Sequence, residues 1–131
     1  MNPEKAELVN LRIANAKKSL NEVESYHVPN QLWNTAVNRL YYACFYAVTA
    51  LLHNYGLDTK THSGAKRMFG LHFIKTGIID EKTGEFYSDL FEMRQNADYE
   101  DQIEYEKENV LPLVPKATEL IDRIVAVLYA A

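Results

Sequence analysis

Apolar residues recur at helical spacing near the start of the chain. They follow one another at alternating steps of four and three: Val9, Ile13, Ala16, Leu20 and Val23. This spacing places them on one side of an amphipathic helix. Asn2 and Pro3 come before them, as expected for an N-cap and a first helical residue. The pattern predicts a first helix that ends at the segment YHVPN.

A second helix is predicted from about Gln31 to Asn54, with Gly56 in the left-handed position after its end. It is apolar over much of its circumference, which is typical of a helix at the centre of a bundle. One of its faces is instead polar and aromatic. The residues of that face are Thr35, Arg39, Tyr42, Tyr46, Thr49 and His53.

Three further helices complete the prediction. One follows Ser63 and ends near Gly77, the next begins near Gly84, and the last carries apolar residues from Val114 to Leu128. Strong alternation of apolar and polar residues, the mark of a strand, is missing from the sequence. The whole chain, residues 1–131, is therefore predicted to be a single all-α domain. Its expected architecture is an antiparallel up-and-down bundle of four to five helices.

Composition narrows the classes of function. Of 131 residues, 47% are hydrophobic and 24% charged, as in ordinary globular proteins. The net charge of −4 argues against a general binder of long nucleic acids, which usually has a basic face, but allows a pocket for one phosphate. The sequence predicts no membrane span and no secretory signal. Together with a single cysteine, Cys44, this leads us to expect a cytoplasmic location.

Arg94 is the first candidate for chemistry. A guanidinium is always charged and can hold a phosphate through two parallel hydrogen bonds. Asp98 follows four residues later, and this spacing favours an ion pair within the helix. Arg39 is the second candidate, because a charge inside a mostly apolar helix needs a partner. Either Asp98 or Asp89 pairs with Arg39 across the bundle, or Arg39 and Arg94 converge on a phosphate.

Histidines and acidic residues give weaker signals. His53, His62 and His72 lack the spacing of metal ligands, so we predict no metal and no cofactor. His62 is expected to organise the loop before Ser63. The acidic run at 98–108 is either a solvated connection or a docking surface for a basic partner.

Three sequence blocks together resemble the HEPN superfamily of small helical proteins. They are NRLYYACFYAVTALL at 38–52, THSGAKRMFGLHFIKTG at 61–77 and EMRQNADYE at 92–100. The last resembles the branch whose motif reads Arg-x-x-Ala-Asp-Tyr. The resemblance implies a homodimeric helical bundle whose partner is a minimal nucleotidyltransferase. Many members are metal-independent ribonucleases, in which an arginine and a following histidine from both subunits form the active site.

The chain departs from the ribonuclease pattern at one position. Arg94 matches the arginine of the family, but Tyr99 stands where many members place histidine. No histidine follows Arg94, so a ribonuclease that resembles those members would need His53, His62 or His72 from elsewhere in the fold. Tyrosine has a reference pKa near 10 and is a poor general base at neutral pH. The resemblance thus implies a catalytic site at Arg94, Asp98 and Tyr99, with Arg39 and Tyr42 joining Arg94 in phosphate binding.

Three hypotheses follow for the chain. The first is a homodimeric HEPN protein that partners a minimal nucleotidyltransferase in a toxin–antitoxin or defence-type module and binds nucleotide or RNA. The alternative is a metal-independent ribonuclease toxin that uses Arg94. In the third, the motif residues serve only to stabilise the fold.

Overall fold

The computed structural model describes residues 2–99 and 103–130, leaving out the side chain of Tyr99. All regular secondary structure in these ranges is helical, which confirms the predicted all-α bundle. The helices are α1 (Pro3–Glu22), α2 (Trp33–Asn54), α3 (His62–Phe69), α4 (Glu81–Tyr99), α5 (Lys107–Val110) and α6 (Leu113–Leu128). Wider π-helical turns extend α1 over Val23–His27 and α3 over Gly70–Ile74. None of the helices described is long and apolar enough to cross a membrane.

The ends of the first two helices follow mostly from the sequence. Asn2 caps α1 as predicted, because its side chain accepts a hydrogen bond of 2.8 Å from the Lys5 amide. The second helix begins at Trp33, two residues after the predicted start. Gln31 has a φ of 57°, a left-handed conformation that a right-handed helix cannot include. Gly56 takes the predicted left-handed conformation, with a φ of 71°.

The third helix begins slightly earlier than predicted. Thr61 is its N-cap and accepts a hydrogen bond of 2.9 Å from the Gly64 amide. His62 is therefore the first helical residue, and Ser63 lies inside the helix. Both hydroxyl residues are good caps, so the sequence pattern alone did not choose between them.

The fourth helix also begins earlier than predicted, at Glu81 and not near Gly84. The Asp80 side chain accepts hydrogen bonds from the amide (3.2 Å) and the hydroxyl (2.6 Å) of Thr83, as an N-cap does. Gly84 lies inside α4 and packs against Ile74. A Cβ there would come within 2.9 Å of two Ile74 carbons, so glycine permits the close approach of these segments.

The last helix is preceded by a short helix that the sequence did not indicate, the single turn α5. Its start is closed by reciprocal side-chain and backbone hydrogen bonds between Glu106 and Asn109. Pro112 is the N-cap of α6, and Pro115 falls in its first turn. Neither position needs a backbone donor, so both prolines are compatible with the start of this helix.

The second helix is the centre of the bundle, as its broad apolar surface predicted. It packs against α1, α3, α4, α5 and α6. Tyr41, Leu40 and Leu51 on it are fully buried. This arrangement brings the first half of α2, the start of α3 and the last turns of α4 together, and the candidate site lies there.

Candidate functional site

Arg94 is buried in the described structure although it carries a permanent charge. Only 6% of the residue is exposed. Its guanidinium carbon lies 4.8 Å from the centre of the Tyr41 ring and 5.9 Å from that of Tyr42. Aromatic rings attract a cation at such distances, and more strongly where water is excluded. The two tyrosines of α2 thus form an aromatic wall for the arginine of α4.

The carboxylate that pairs with Arg94 is a weak partner. Nη1 of Arg94 lies 3.5 Å from Oδ2 of Asp98, which confirms the predicted pair within the helix but is long for a charged hydrogen bond. Asn38 also binds Asp98, since its Nδ2 lies 3.2 Å from each carboxylate oxygen. Among the described residues, the buried Nε of Arg94 has no hydrogen-bond partner. A buried cation with so little compensation favours an anionic ligand.

His62 enters the site from α3. Its Nδ1 lies 2.9 Å from the hydroxyl of Tyr41, a residue that is fully buried. The imidazole packs on Phe45, with the ring centres 4.3 Å apart. We expected His62 to organise the loop before Ser63. Because Thr61 caps the helix, the His62 side chain is instead free to reach α2.

Arg94 and His62 share the same two aromatic neighbours. The ring centres of Tyr41 and Tyr42 lie 5.6 Å and 5.7 Å from that of His62. The same rings are the wall against which the Arg94 guanidinium rests. A histidine therefore belongs to the arginine site, although none follows Arg94 in the sequence.

The protein surroundings shift the pKa of the His62 imidazole and that of the Tyr41 hydroxyl. Burial lowers the pKa of His62 from its ordinary value of 6.5, and the charge of Arg94 lowers it further. Burial raises the pKa of Tyr41, against an opposing effect of Arg94. At neutral pH the imidazole is thus uncharged and able to accept a proton, while the Tyr41 hydroxyl keeps its own.

The predicted partners of Arg39 were wrong. The residue is half-buried and bonds neither Asp98 nor Asp89; its Nη2 donates to the Ser19 hydroxyl at 3.1 Å. The reason is its position on the side of α2 that faces α1, whereas Asn38, one residue earlier, faces Asp98 on α4. The Arg39 guanidinium carbon does lie 5.7 Å from the Tyr42 ring centre. Arg39 and Arg94 therefore both lie near Tyr42, while phosphate binding by these three residues stays a prediction.

Part of the predicted site lies outside the described residues. Tyr99 is the last residue of α4, and its side chain is not among those described. Residues 100–102 of the acidic run are also outside, so a docking role for that run stays a prediction. Within 2–99 and 103–130, no group of three or more His, Cys, Asp or Glu side chains could hold a metal ion.

Two residues of the site, Asn38 and Tyr41, were missed as functional candidates from the sequence, and both lie in the first of the three resemblance blocks. Membership of that block was the only signal for them. His62 was one of three histidines that a ribonuclease would need from elsewhere in the fold, and the sequence did not show which of them approaches Arg94. Local spacing could not show this, because the contact between Tyr41 and His62 joins residues 21 positions apart.

Comparison with known proteins assigns the chain to a family. The HEPN domain model matches residues 9–127. A "UPF0332 protein" of Thermotoga maritima is 43% identical over 95 residues, which is 72% of either chain. "Putative toxin MJ0142" of Methanocaldococcus jannaschii is 39% identical over 79% of this chain and 70% of its own. "Putative toxin MJ0605" of the same organism is 37% identical over 72% and 70% of the two chains. With the family model spanning most of the bundle and the Arg94 site within it, the chain belongs to the HEPN domain family.

Proposed function

We propose that this chain is the HEPN component of a toxin–antitoxin or defence-type module and binds the phosphate of a nucleotide or RNA at Arg94. The observation that carries the proposal is the buried, weakly paired guanidinium of Arg94. It has one carboxylate contact, at 3.5 Å, and its Nε has no partner among the described residues. A phosphate oxygen would supply the missing acceptor and more of the missing negative charge.

Aromatic and cationic groups around Arg94 support the same ligand class. Tyr42 is half-buried, and its ring centre lies 5.7 Å from the Arg39 guanidinium carbon and 5.9 Å from that of Arg94. A ring of this kind can stack on a nucleobase while the arginines contact the phosphate. With a net charge of −4, the protein has little general attraction for nucleic acid, so we expect binding to be confined to this site.

The partners belong to the proposal as well. We infer that the protein acts in the cytoplasm as a homodimer and binds a minimal nucleotidyltransferase. Support comes from the Arg-x-x-Ala-Asp-Tyr motif at Arg94–Tyr99 and from two relatives whose names describe toxins. Co-expression with the nucleotidyltransferase of the same locus, followed by affinity purification and size exclusion, tests this inference. A stable complex with two HEPN chains is expected, and recovery of the HEPN protein alone as a monomer would contradict it.

A second candidate function is RNA cleavage, and the position of His62 favours it. Ribonuclease chemistry needs a group that accepts a proton near neutral pH, and Tyr99 is a poor one. His62 brings an imidazole to the same aromatic wall as Arg94. Cleavage predicts growth arrest and RNA fragments when the protein is expressed without its partner.

Replacement of Arg94 tests this candidate in cells. The variant Arg94→Ala should abolish both growth arrest and RNA cleavage if cleavage depends on the site. Arg67→Ala is the matched control, since Arg67 is an exposed residue of α3. It should remain as toxic as wild type. Equal growth of cells expressing wild type and Arg94→Ala would exclude this second function.

A further inference from the structure

We propose that His62 is the proton acceptor of the Arg94 site, supplied by α3 of the same protomer instead of by a position after the arginine in α4. This inference rests on the proposed function, because it assigns a residue to RNA cleavage at that site. In the family pattern the histidine follows the arginine in sequence, and both subunits form the active site. Here His62 comes before Arg94 in sequence and belongs to the same protomer. An arginine and a histidine from one protomer share the site, with no need for a second subunit to bring the imidazole.

A hydrogen bond orients the His62 imidazole. Nδ1 of His62 lies 2.9 Å from the Tyr41 hydroxyl, and Tyr41 is fully buried. A ring nitrogen held in this way fixes the plane of the imidazole, and Phe45 supports its face at 4.3 Å. The other nitrogen, Nε2, has no hydrogen-bond partner among the described residues, although the histidine is only half-buried. When Nδ1 donates to Tyr41, Nε2 is left with a free lone pair.

The surroundings of the His62 ring are aromatic and cationic. From α2 it meets the rings of Tyr41 and Tyr42. From α4 it meets the field of Arg94, and Lys66 lies one turn further along α3 with its Nζ over the Phe91 ring. No acidic side chain forms a hydrogen bond or ion pair with His62 in the described ranges. Burial and the positive charge of Arg94 lower the pKa of the imidazole and keep it neutral, as a base must be.

The reaction assigned to these groups is transfer of a phosphoryl group within RNA. Nε2 of His62 takes the proton of a ribose 2′-hydroxyl, and the 2′-oxygen forms a bond to phosphorus as the bond from phosphorus to the 5′-oxygen breaks. Arg94 stabilises the negative charge that grows on the phosphate oxygens. The departing 5′-oxygen takes a proton from water, and the imidazolium later returns its proton to solvent. The products are a 2′,3′-cyclic phosphate and a 5′-hydroxyl end.

The test compares wild type with His62→Gln, using His72→Gln as control. Glutamine can still bond the Tyr41 hydroxyl but cannot act as a base. The His72 side chain makes no hydrogen bond or ring contact among the described residues. Binding and cleavage of a short single-stranded RNA are measured for each protein between about pH 5 and 9. We expect His62→Gln to bind RNA normally, to cleave it about 100-fold or more slowly, and to lose the acidic limb of the pH profile.

A spectroscopic measurement makes the test independent of cleavage. The His62 imidazole resonance, assigned by its absence in His62→Gln, is titrated in wild type and in Arg94→Met. We expect its pKa to rise in Arg94→Met, because a neighbouring positive charge has been removed. An unchanged pKa, or a His62→Gln variant that cleaves like wild type, overturns the assignment of His62. RNA that binds through Arg94 but is not cleaved also overturns it and leaves the proposed binding function standing, whereas absent binding contradicts that function itself.

Discussion

The hydroxyl of Tyr41 lies 2.9 Å from Nδ1 of His62, and this hydrogen bond joins the centre of α2 to the first residue of α3. The centre of the Tyr41 ring also lies 4.8 Å from the guanidinium carbon of Arg94. One buried tyrosine therefore contacts both the proposed phosphate-binding arginine and the proposed proton acceptor. Its ring supports the cation, and its hydroxyl holds the imidazole.

Removing that hydroxyl should weaken the fold without displacing the ring. We expect Tyr41→Phe to lower the free energy of unfolding by about 1 kcal/mol, because one buried hydrogen bond is lost. Urea unfolding measures the change. Tyr26→Phe is the control: Tyr26 is 56% exposed and its hydroxyl makes no described hydrogen bond, so no change is expected there. Equal stabilities of Tyr41→Phe and wild type would mean that this hydrogen bond contributes nothing.

The cap of α3 should affect both stability and the position of His62. The Thr61 hydroxyl accepts a hydrogen bond of 2.9 Å from the Gly64 amide, so Thr61→Ala should lower the free energy of unfolding by about 1 kcal/mol. Thr61→Ser keeps the oxygen and should retain most of the stability. Because His62 is the next residue, the alanine variant should also shift the His62 imidazole resonance. If Thr61→Ala loses stability but leaves the His62 resonance unchanged, the cap does not determine the position of His62.

Two glycines should respond oppositely to alanine. At Gly84 a Cβ would lie 2.9 Å from two Ile74 carbons, so Gly84→Ala should destabilise the protein by about 1–3 kcal/mol. At Gly70 a Cβ would meet nothing within 4 Å, and φ is −60°. Gly70→Ala should therefore stabilise the protein by about 0.5–1 kcal/mol, through higher helix propensity. Thermal unfolding of both variants checks the pair, and a harmless Gly84→Ala would contradict the close packing of α4 on the α3 extension.

Stability should fall in acid in two steps. The folded-state pKa of His62 is lowered by burial and by Arg94, so the unfolded chain binds a proton first as the pH falls below 6.5. The contribution of His62 to the free energy of unfolding is therefore present above that pH and is lost as the pH falls below it. The pKa of Asp80 is lowered from 3.8 chiefly by its hydrogen bond from Thr83, so its contribution is lost only at still lower pH.

Urea unfolding at a series of pH values separates these two steps. His62→Gln should flatten the upper decline, whereas His72→Gln should retain it. Asp80→Asn should reduce the lower decline and leave the upper one in place. If the upper decline in stability persists in His62→Gln, a different titrating group causes it.

The sequence predicted the parts of the structure that depend on local spacing. The broad apolar surface of α2 indicated its central position, and the interval of four between Arg94 and Asp98 indicated their ion pair. The N-caps of α3 and α4 lie about two to three residues before the predicted positions, because Thr61 and Asp80 compete with neighbouring residues that are almost as suitable.

The parts that depend on packing between helices were not predictable. Arg39 and Asn38 are adjacent in sequence yet face α1 and α4, and the periodicity of α2 does not say which helix lies on which side. The contact between His62 and Tyr41 depends on how the loop after Gly56 returns α3 to α2. For this reason the sequence left His53, His62 and His72 open as candidates, and only the structure shows that His62 shares the aromatic neighbours of Arg94.

The affinity of Arg94→Met for RNA tests whether Arg94 holds a phosphate. Methionine fills much of the same volume without charge, so the buried and incompletely paired cation disappears and the melting temperature should stay the same or rise. If Arg94 holds a phosphate, the Kd for a short single-stranded RNA, measured by fluorescence anisotropy, should rise about 10- to 100-fold. The exposed control Arg67→Met should bind like wild type. Equal affinity of Arg94→Met and wild type, with or without a loss of stability, would contradict the account.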